Sequence, residues 1–483
     1  MAYLLLILFP LSMAASCFVL RRSTGLAVAL AVATVLALAA LVPQIPIDAP
    51  ARMLGVTLIL GSLSRLFLLA FLGVVLVAFV ASWSLPHGEN FVPVGLIVVS
   101  VVCALSLLQD PFLLSLLLVG ANLAAVLAIV DLPVGASALV GTRVLATAIK
   151  YLVLTVIAGA LMYLGFVLVG VYQSSQLPGG VPLSRFVLAL LAAGFALRLA
   201  IIPFHGWLPD LIDDAAPLVS VLVVAVLNGL SLLVLVLSLQ SFPDLIADGA
   251  QGLLVMRVGG IVTAVLGGLL ALGQKSLRRT LAYLLVYEAG MLLFGVAALN
   301  TAGLTGALFE VLNQALAGTL ILVSLGLLEL PDGRAPGVER RDLLRRWPVA
   351  GLGLLGGGLS LVGLPPFSGF VGKLLIFQGA SEYGWWSLLP LALASCLACA
   401  ALLRAARSWL LGAPEDLPAT EPTLLGEIEL DRPAQRRLDP EPRPAALLVT
   451  ALLAICLGVG LAPQPLLALI ADVVRGLTFI SAQ

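Results

Sequence analysis

Between Phe195 and Asp214 the chain sets an arginine, a histidine and three aspartates inside or beside an apolar helix, at Arg198, His205, Asp210, Asp213 and Asp214, with Pro203, Pro209 and then Pro217 among them. A charge surrounded by hydrocarbon costs several kcal/mol, so its presence in such a run points to a functional demand. Arginine supplies a fixed positive charge, whereas histidine, with an unperturbed pKa of about 6.5, takes and releases a proton near neutrality. Further isolated ionisable groups stand in apolar runs at Glu288, Glu310 and Lys373, and Lys150 stands near the start of an earlier one. A proton crossing hydrocarbon has to be handed between groups whose pKa values respond to neighbouring charges, and these residue types are suited to that transfer.

The rest of the composition defines the medium. With 61% hydrophobic and 10% charged residues, and a mean hydropathy of +1.17, the chain is excluded from the water-soluble globules, in which about a quarter of residues are charged. It reads as a multi-pass membrane protein in contact with the lipid bilayer. Formal net charge is +0, which points to neither nucleic acid nor an acidic substrate. The five cysteines, Cys17, Cys103, Cys396, Cys399 and Cys456, all lie in apolar runs. Cys396 and Cys399 have CxxC spacing but no second pair or nearby histidine, and they read as helix packing with no metal expected. The sequence has no dinucleotide-binding glycine fingerprint, Fe–S cysteine set or haem-ligand pattern, so no cofactor is expected.

Apolar stretches of about 20 residues can each cross a bilayer core as a helix. About fourteen are expected, near 2–20, 24–43, 57–82, 91–108, 111–131, 144–173, 184–204, 217–240, 253–273, 280–299, 303–329, 348–376, 386–410 and 444–472. Arg21 and Arg22 follow the first stretch instead of preceding it, which favours a retained helix over a signal peptide and puts the N-terminus outside. In that orientation Arg143, Lys275, Arg278, Arg279, Arg334, Arg340, Arg341, Arg345, Arg346, Arg404, Arg407 and Arg443 fall on the cytoplasmic side. Little beyond Arg52, Arg185, Arg257 and Arg475 falls opposite. This asymmetry predicts both termini on the non-cytoplasmic face of the inner (plasma) membrane. The segment from Gly412 to Pro444, rich in Pro, Glu, Asp and Arg, reads as a cytoplasmic loop with too little apolar surface to fold alone.

Two of these spans cannot be continuous helices. Pro203 interrupts the seventh, and the run Gly363-Leu364-Pro365-Pro366-Phe367-Ser368-Gly369-Phe370-Val371-Gly372-Lys373 interrupts the twelfth. Proline removes a backbone donor and clashes with the preceding turn, so the freed carbonyls need protein or water partners and the breaks are expected to line hydrated interior space. They lie five spans apart, each with a cation nearby, the pattern of inverted repeats whose ion path runs through broken helices. The expected fold is an all-α polytopic membrane protein of about fourteen spans. Its expected parts are flanking helices over 1–90, a first five-helix repeat over 91–240, a second over 253–410, a cytoplasmic loop over 411–443 and a C-terminal helix over 444–483.

The motifs carry a resemblance. Pro203-Phe204-His205-Gly206-Trp207-Leu208-Pro209-Asp210 followed by Ala216-Pro217, the Gly363–Lys373 run, and Leu277-Arg278-Arg279-Thr280-Leu281-Ala282-Tyr283 are similar to signatures of a known family. This is the antiporter-like membrane subunits of respiratory complex I, Mrp-type cation/proton antiporters and membrane-bound hydrogenases. The matches run in the expected order over roughly residues 100 to 410. The resemblance implies a mid-membrane chain of ionisable groups along which protons hop, in a larger assembly whose redox chemistry belongs to partner subunits.

The family's usual set is a glutamate on the fifth span, lysines on the seventh and eighth, a histidine or lysine on the eleventh, and a lysine or glutamate on the twelfth. Here the seventh-span lysine corresponds to Arg198, the fifth-span glutamate falls around Val119 to Asn122, and the eighth-span lysine falls at Asn228 to Leu230. The eleventh span offers Glu310, Asn313 and Gln314, the tenth offers Glu288, and Lys373 matches on the twelfth. Lys150 stands in a family-like context, Ala148-Ile149-Lys150-Tyr151. Arginine holds its proton at physiological pH, so the first repeat is poorly equipped to relay one, while the second keeps groups with shiftable pKa values.

Each residue also has a plainer reading. Arg198 and Lys150 can snorkel to an interface, His205 can be held by Asp210, Asp213 or Asp214, and Glu288 and Glu310 can be neutral, hydrogen-bonded interior carboxyls. Glu310 and Asn313 are spaced to share a helical face. The function expected is proton translocation, or its support, as a membrane subunit of a complex I-like assembly. The alternatives are an Mrp-type Na+/H+ antiporter subunit and a non-pumping scaffold whose proton wire is degenerate.

Overall fold

Apolar runs become helices here because lipid offers the backbone no hydrogen-bond partners, and a helix satisfies its own. The computed structural model describes residues 2–53, 55–131, 141–171, 183–241, 250–329, 343–411 and 441–477. Its helices are α1 (Ala2–Val19), α2 (Thr24–Leu41), α3 (Ser62–Ala81), α4 (Phe91–Leu107), α5 (Pro111–Ile129), α6 (Thr142–Val171), α7 (Leu183–Arg198) and α8 (Trp207–Asp214). They continue as α9 (Pro217–Ser241), α10 (Ala250–Gly273), α11 (Leu277–Ala297), α12 (Thr301–Glu329), α13 (Pro348–Val362), α14 (Gly369–Ser381), α15 (Trp385–Ala405), α16 (Arg443–Leu461) and α17 (Gln464–Arg475). Among the described residues, 11 helices are long and apolar enough to cross a membrane, and α4 and α13 are shorter apolar helices. The protein is a multi-pass integral membrane protein.

Burial is uneven among these helices. The apolar window of α9 is wholly buried and those of α11 and α12 nearly so, whereas α1, α15 and α16 turn most of theirs outward. A helix that is apolar all round belongs inside a bundle. An interior polar group therefore sits on one of these three helices or on a neighbour's face turned toward them. Within this core α11 packs on α10 and α12, and α12 packs on α13 and α14. A π-helical segment, Leu222–Leu227, lies in α9 just before Asn228, a distortion often found at functional positions.

Two spans differ from their sequence-based limits. The third, expected over 57–82, begins as a helix only at Ser62, because Val56–Leu58 pairs antiparallel with Ala51–Met53, Ala51 opposite Leu58 and Arg52 opposite Thr57. The C-terminal segment, expected as one helix, is two. Pro463 disfavours helical backbone at Ala462, so α16 stops at Leu461 and α17 starts at Gln464. On α17 Ile470 and Val474 are buried, while Asp472 and Arg475 are exposed. Arg334, Arg340, Arg341 and nearly all of the 411–443 loop lie outside the described residues.

Both proline breaks are present. At the first, α7 ends at Arg198, Ala200 takes a positive φ of 57°, the Ile202–Pro203 bond is cis, and helix resumes as α8. At the second, α13 ends at Val362, the Pro365–Pro366 bond is cis and α14 starts at Gly369. Gly363 ends α13 in the left-handed region, φ 85°, which costs glycine little because it has no Cβ.

Candidate functional site

Breaking a helix frees backbone groups, and at the second break those groups are taken up by side chains that lead to a charged cluster. The Ser360 carbonyl accepts from Gly363 N (3.1 Å) and from Asn313 Nδ2 (3.3 Å). Asn313 Oδ1 accepts from the Ser360 hydroxyl (2.7 Å) and the Ser368 hydroxyl (2.6 Å). The remaining bond of Asn313, from Nδ2 to Glu310 Oε2 at 2.8 Å, spans one helical turn, as the i, i+3 spacing predicts. The break is thus tied through one amide to a carboxyl.

That carboxyl shares a lysine with another. Lys373, on the first turns of α14, places Nζ 2.6 Å from Glu288 Oε2 on α11 and 3.4 Å from Glu310 Oε1 on α12. The lysine side chain is 2% exposed and both carboxyls 0%. Close approach of α14 to α12 depends on glycine, because a Cβ on Gly372 would fall 2.6 Å from Glu310 Cγ. The Lys373 ammonium also lies 5.5 Å from the centre of the Tyr287 ring, whose hydroxyl pairs with Ser395 at 2.8 Å on α15.

One ammonium balances one carboxylate. Among the described residues the other carboxyl of the trio has no second cation. Buried ion pairs seldom repay their desolvation, and replacement by apolar residues is often neutral or stabilising. Packing stability alone therefore does not account for three ionisable groups at this depth.

The first half is built differently. Arg198 is 2% exposed and Nη1 donates to Asn228 Oδ1 at 3.0 Å. Tyr151 on α6 donates its hydroxyl to Asn122 Oδ1 on α5 at 2.7 Å, and Trp207 places its ring 6.0 Å from the guanidinium carbon. Freed backbone groups find protein partners here too: Leu197 O accepts from the Trp207 indole (3.0 Å), and Ile202 N donates to Thr263 on α10 (3.1 Å). Apart from Arg198, the residues of this cluster are neutral at physiological pH.

At one end of the bundle a separate ionic network pins α8. Lys150 Nζ binds Asp210 Oδ2 (2.7 Å) and the Gly206 carbonyl (3.0 Å), Thr147 binds Asp214 (2.6 Å), and Arg279 Nε binds Asp213 (3.0 Å). Arg278 uses Nη1 on the Ile212 and Asp213 carbonyls, both at 2.8 Å, and Nε and Nη2 on the two Glu329 oxygens at 2.6 and 2.5 Å. The guanidinium thus caps α8 and grips the end of α12 at once. His205 lies tilted against Tyr283, the ring centres 5.9 Å apart. Its imidazole, outside the candidate spans, is held below its ordinary value by burial, with the Lys150 charge adding to that effect.

Of the residues singled out in the sequence, Glu288, Glu310, Asn313 and Lys373 come together, and Arg198 meets Asn228. Lys150 joins the α8 network, not the Arg198 cluster. Asp210, Asp213 and Asp214 are engaged with Lys150, Arg279 and Thr147, and none is paired with His205 among the described residues. Gln314 is buried on α12. Ser360, Ser368, Tyr151, Asn122 and the Arg278–Glu329 bracket were not anticipated as site residues. Ser368 and Tyr151 do sit inside motifs already conspicuous for their prolines and lysine.

With the two breaks and the buried cluster placed, comparison with known proteins is decisive. Residues 136–398 match the family described as NADH:quinone oxidoreductase/Mrp antiporter, transmembrane. The chain belongs to this family. Similar relatives include an NADH-quinone oxidoreductase subunit 14 of Thermus thermophilus, 36% identical over 252 residues, covering 52% of this chain and 55% of that protein. Another is an NADH-quinone oxidoreductase subunit N 2 of Syntrophobacter fumaroxidans, 33% identical over 261 residues, covering 51% of this chain and 53% of the relative. The matched stretch therefore spans about half the length of these curated relatives. In fold, the chain is similar to a protein in the structure of the Mrp complex from Dietzia sp., with a TM-score of 0.83 at 21% identity, covering 100% of this chain and 98% of that one.

Proposed function

We propose that this member of the NADH:quinone oxidoreductase/Mrp antiporter family is a membrane subunit of a complex I-like assembly, in which it moves protons through its second half, coupled to redox chemistry in partner subunits. The observation that carries this reading is the Glu288–Lys373–Glu310 cluster. Two carboxyls share one ammonium on buried helices, and Asn313, Ser360 and Ser368 extend the cluster to a helix break. A change of charge in a neighbouring subunit alters the balance between the two carboxyls and drives a proton on or off.

The finer architecture belongs to the same proposal. Counting α4, α7 up to its break at Pro203, and α13 with α14 alongside the long helices gives fourteen spans. The two broken helices, five spans apart, support two inverted five-helix repeats over 91–240 and 253–410. Arg278, Arg279, Lys150 and Glu329 gathered at one end of the bundle support a cytoplasmic face there and termini on the opposite side of the plasma membrane.

A scaffold reading is favoured by one observation, the neutral partners around Arg198. Replacing Lys373 with alanine in the assembled complex separates the two. Proton transport is expected to be lost while the subunit remains incorporated, and undiminished transport would leave only the scaffold.

A further inference from the structure

Among the described residues, Arg198 is a cation without a counter-charge. Its Nη1 is used on Asn228, while Nε and Nη2 are buried and have no hydrogen-bond partner among the described residues. The neighbouring side chains do not supply a negative charge. The Tyr151 hydroxyl oxygen lies against the guanidinium but brings it no charge, because the hydroxyl keeps its proton, which it donates to Asn122; Asn122 itself donates to the Leu118 carbonyl, and Trp207 donates to Leu197. The Val119–Asn122 stretch of α5, which brings Asn122 to this cluster, holds no acidic residue.

Two compensations are available in principle, and neither is sufficient. Arginine cannot shed its proton at physiological pH. The C-terminal end of α7, where Arg198 sits, carries a partial negative charge of about half a unit. Its carbonyls are already drawn on, Phe195 O by Leu199 N, Ala196 O by Ile201 N and Leu197 O by the Trp207 indole. A buried cation left about half uncompensated costs several kcal/mol.

The two free nitrogens are not scattered. Nε and Nη2 lie along one edge of the guanidinium plane, the fork that binds an anion with two parallel N–H donors. We propose that Arg198, backed by Trp207 and fixed by Asn228, is a buried binding site for one small monovalent anion, which takes the place of a carboxylate this chain does not encode. The bound anion makes the first half electrically neutral without giving it a titratable group. The inference stands whether or not the second half moves protons.

Chloride is the probe, with gluconate, too large for a buried site, as its control at equal ionic strength. In the full-length purified chain, chloride is expected to raise the melting temperature saturably by a few degrees over gluconate, and the rise is expected to vanish in Arg198→Met. Bromide, placed beside Trp207, is expected to add a saturable component of fluorescence quenching that the same variant loses. Equal melting temperatures in the two salts with only linear quenching would overturn the proposal and leave water or a partner subunit's carboxylate as the compensation. A chloride effect that persists in Arg198→Met would overturn it as well, by placing the anion elsewhere. Should Arg198→Met fail to fold, the wild-type salt and bromide titrations decide alone.

Discussion

Lys373 Nζ lies 2.6 Å from Glu288 Oε2, with the lysine 2% exposed and the glutamate 0%. The two residues are 85 positions apart in the chain and meet only because α14, restarted after a double-proline break, is brought against α11 and α12. Removing one partner of a buried pair costs about 3–5 kcal/mol, because it strands the other. Lys373→Met is therefore expected to lower the melting temperature without preventing incorporation into the complex, and Lys373→Met combined with Glu288→Gln to destabilise it by less than the sum of the single changes. A double-mutant cycle by thermal unfolding checks this, and strict additivity would mean that the two do not interact.

Asn313 carries four contacts at the second break. Asn313→Leu leaves Glu310 Oε2 and the Ser360 carbonyl short of a donor, and removes the acceptor shared by the Ser360 and Ser368 hydroxyls, which keep only each other at 2.9 Å. A buried polar group left unsatisfied costs about 1–3 kcal/mol. The expected outcome is a loss of stability at least that large, together with slowed proton transport. Ser368→Ala, which removes one donor to an oxygen that keeps another, is expected to cost less. Melting temperatures and transport rates of the two variants check the ranking.

The Arg278 bracket depends on the shape of its side chain. Lysine keeps the charge but cannot reach the α8 carbonyls and both Glu329 oxygens at once. Arg278→Lys is expected to speed amide hydrogen exchange over Trp207–Asp214, with little change over α1 or α2. Unaltered exchange in α8 would show that Lys150, Thr147 and Arg279 hold that helix without it.

His205 gives a pH dependence with a definite sign. Its folded-state pKa lies below the ordinary histidine value of about 6.5 through burial and then the Lys150 charge, so the unfolded chain binds its proton first as pH falls. Stability from this residue is fully present above about pH 6.5 and declines below it, as pH falls toward the depressed folded value. Melting curves between pH 5 and 8 are expected to show wild type losing stability to acid relative to His205→Gln below about pH 6.5, with parallel behaviour above it. The reverse order, with wild type gaining on the variant in acid, would contradict the buried, neutral placement.

Much of the architecture was legible because lipid simplifies the code. A residue with no water around it has to be apolar or have a reason, so composition gave the class, and Pro203, Pro365 and Pro366 marked both breaks. Glu310 and Asn313 could be paired from one-turn spacing. The Lys373–Glu288 contact could not, because it depends on how three helices are rotated against one another, and periodicity within one nearly all-apolar helix does not specify rotation. The hairpin at Ala51–Leu58 and the end of α16 were missed for another reason: at span ends an apolar run continues past the helix, and only local turn chemistry stops it. The contact of Lys150 with Asp210 was not legible either, because Asp210 reaches it only after the first break redirects the chain.

The cluster's role in carrying protons is open to direct observation by infrared difference spectroscopy on the assembled complex during turnover. The expected result is a carboxyl C=O band that changes with turnover, shifts in heavy water, and disappears in Glu310→Gln and in Glu288→Gln, because the two carboxyls share one exchangeable proton. If no carboxyl band responds to turnover, or if the band survives both substitutions unchanged, Glu288, Lys373 and Glu310 do not carry protons in this protein.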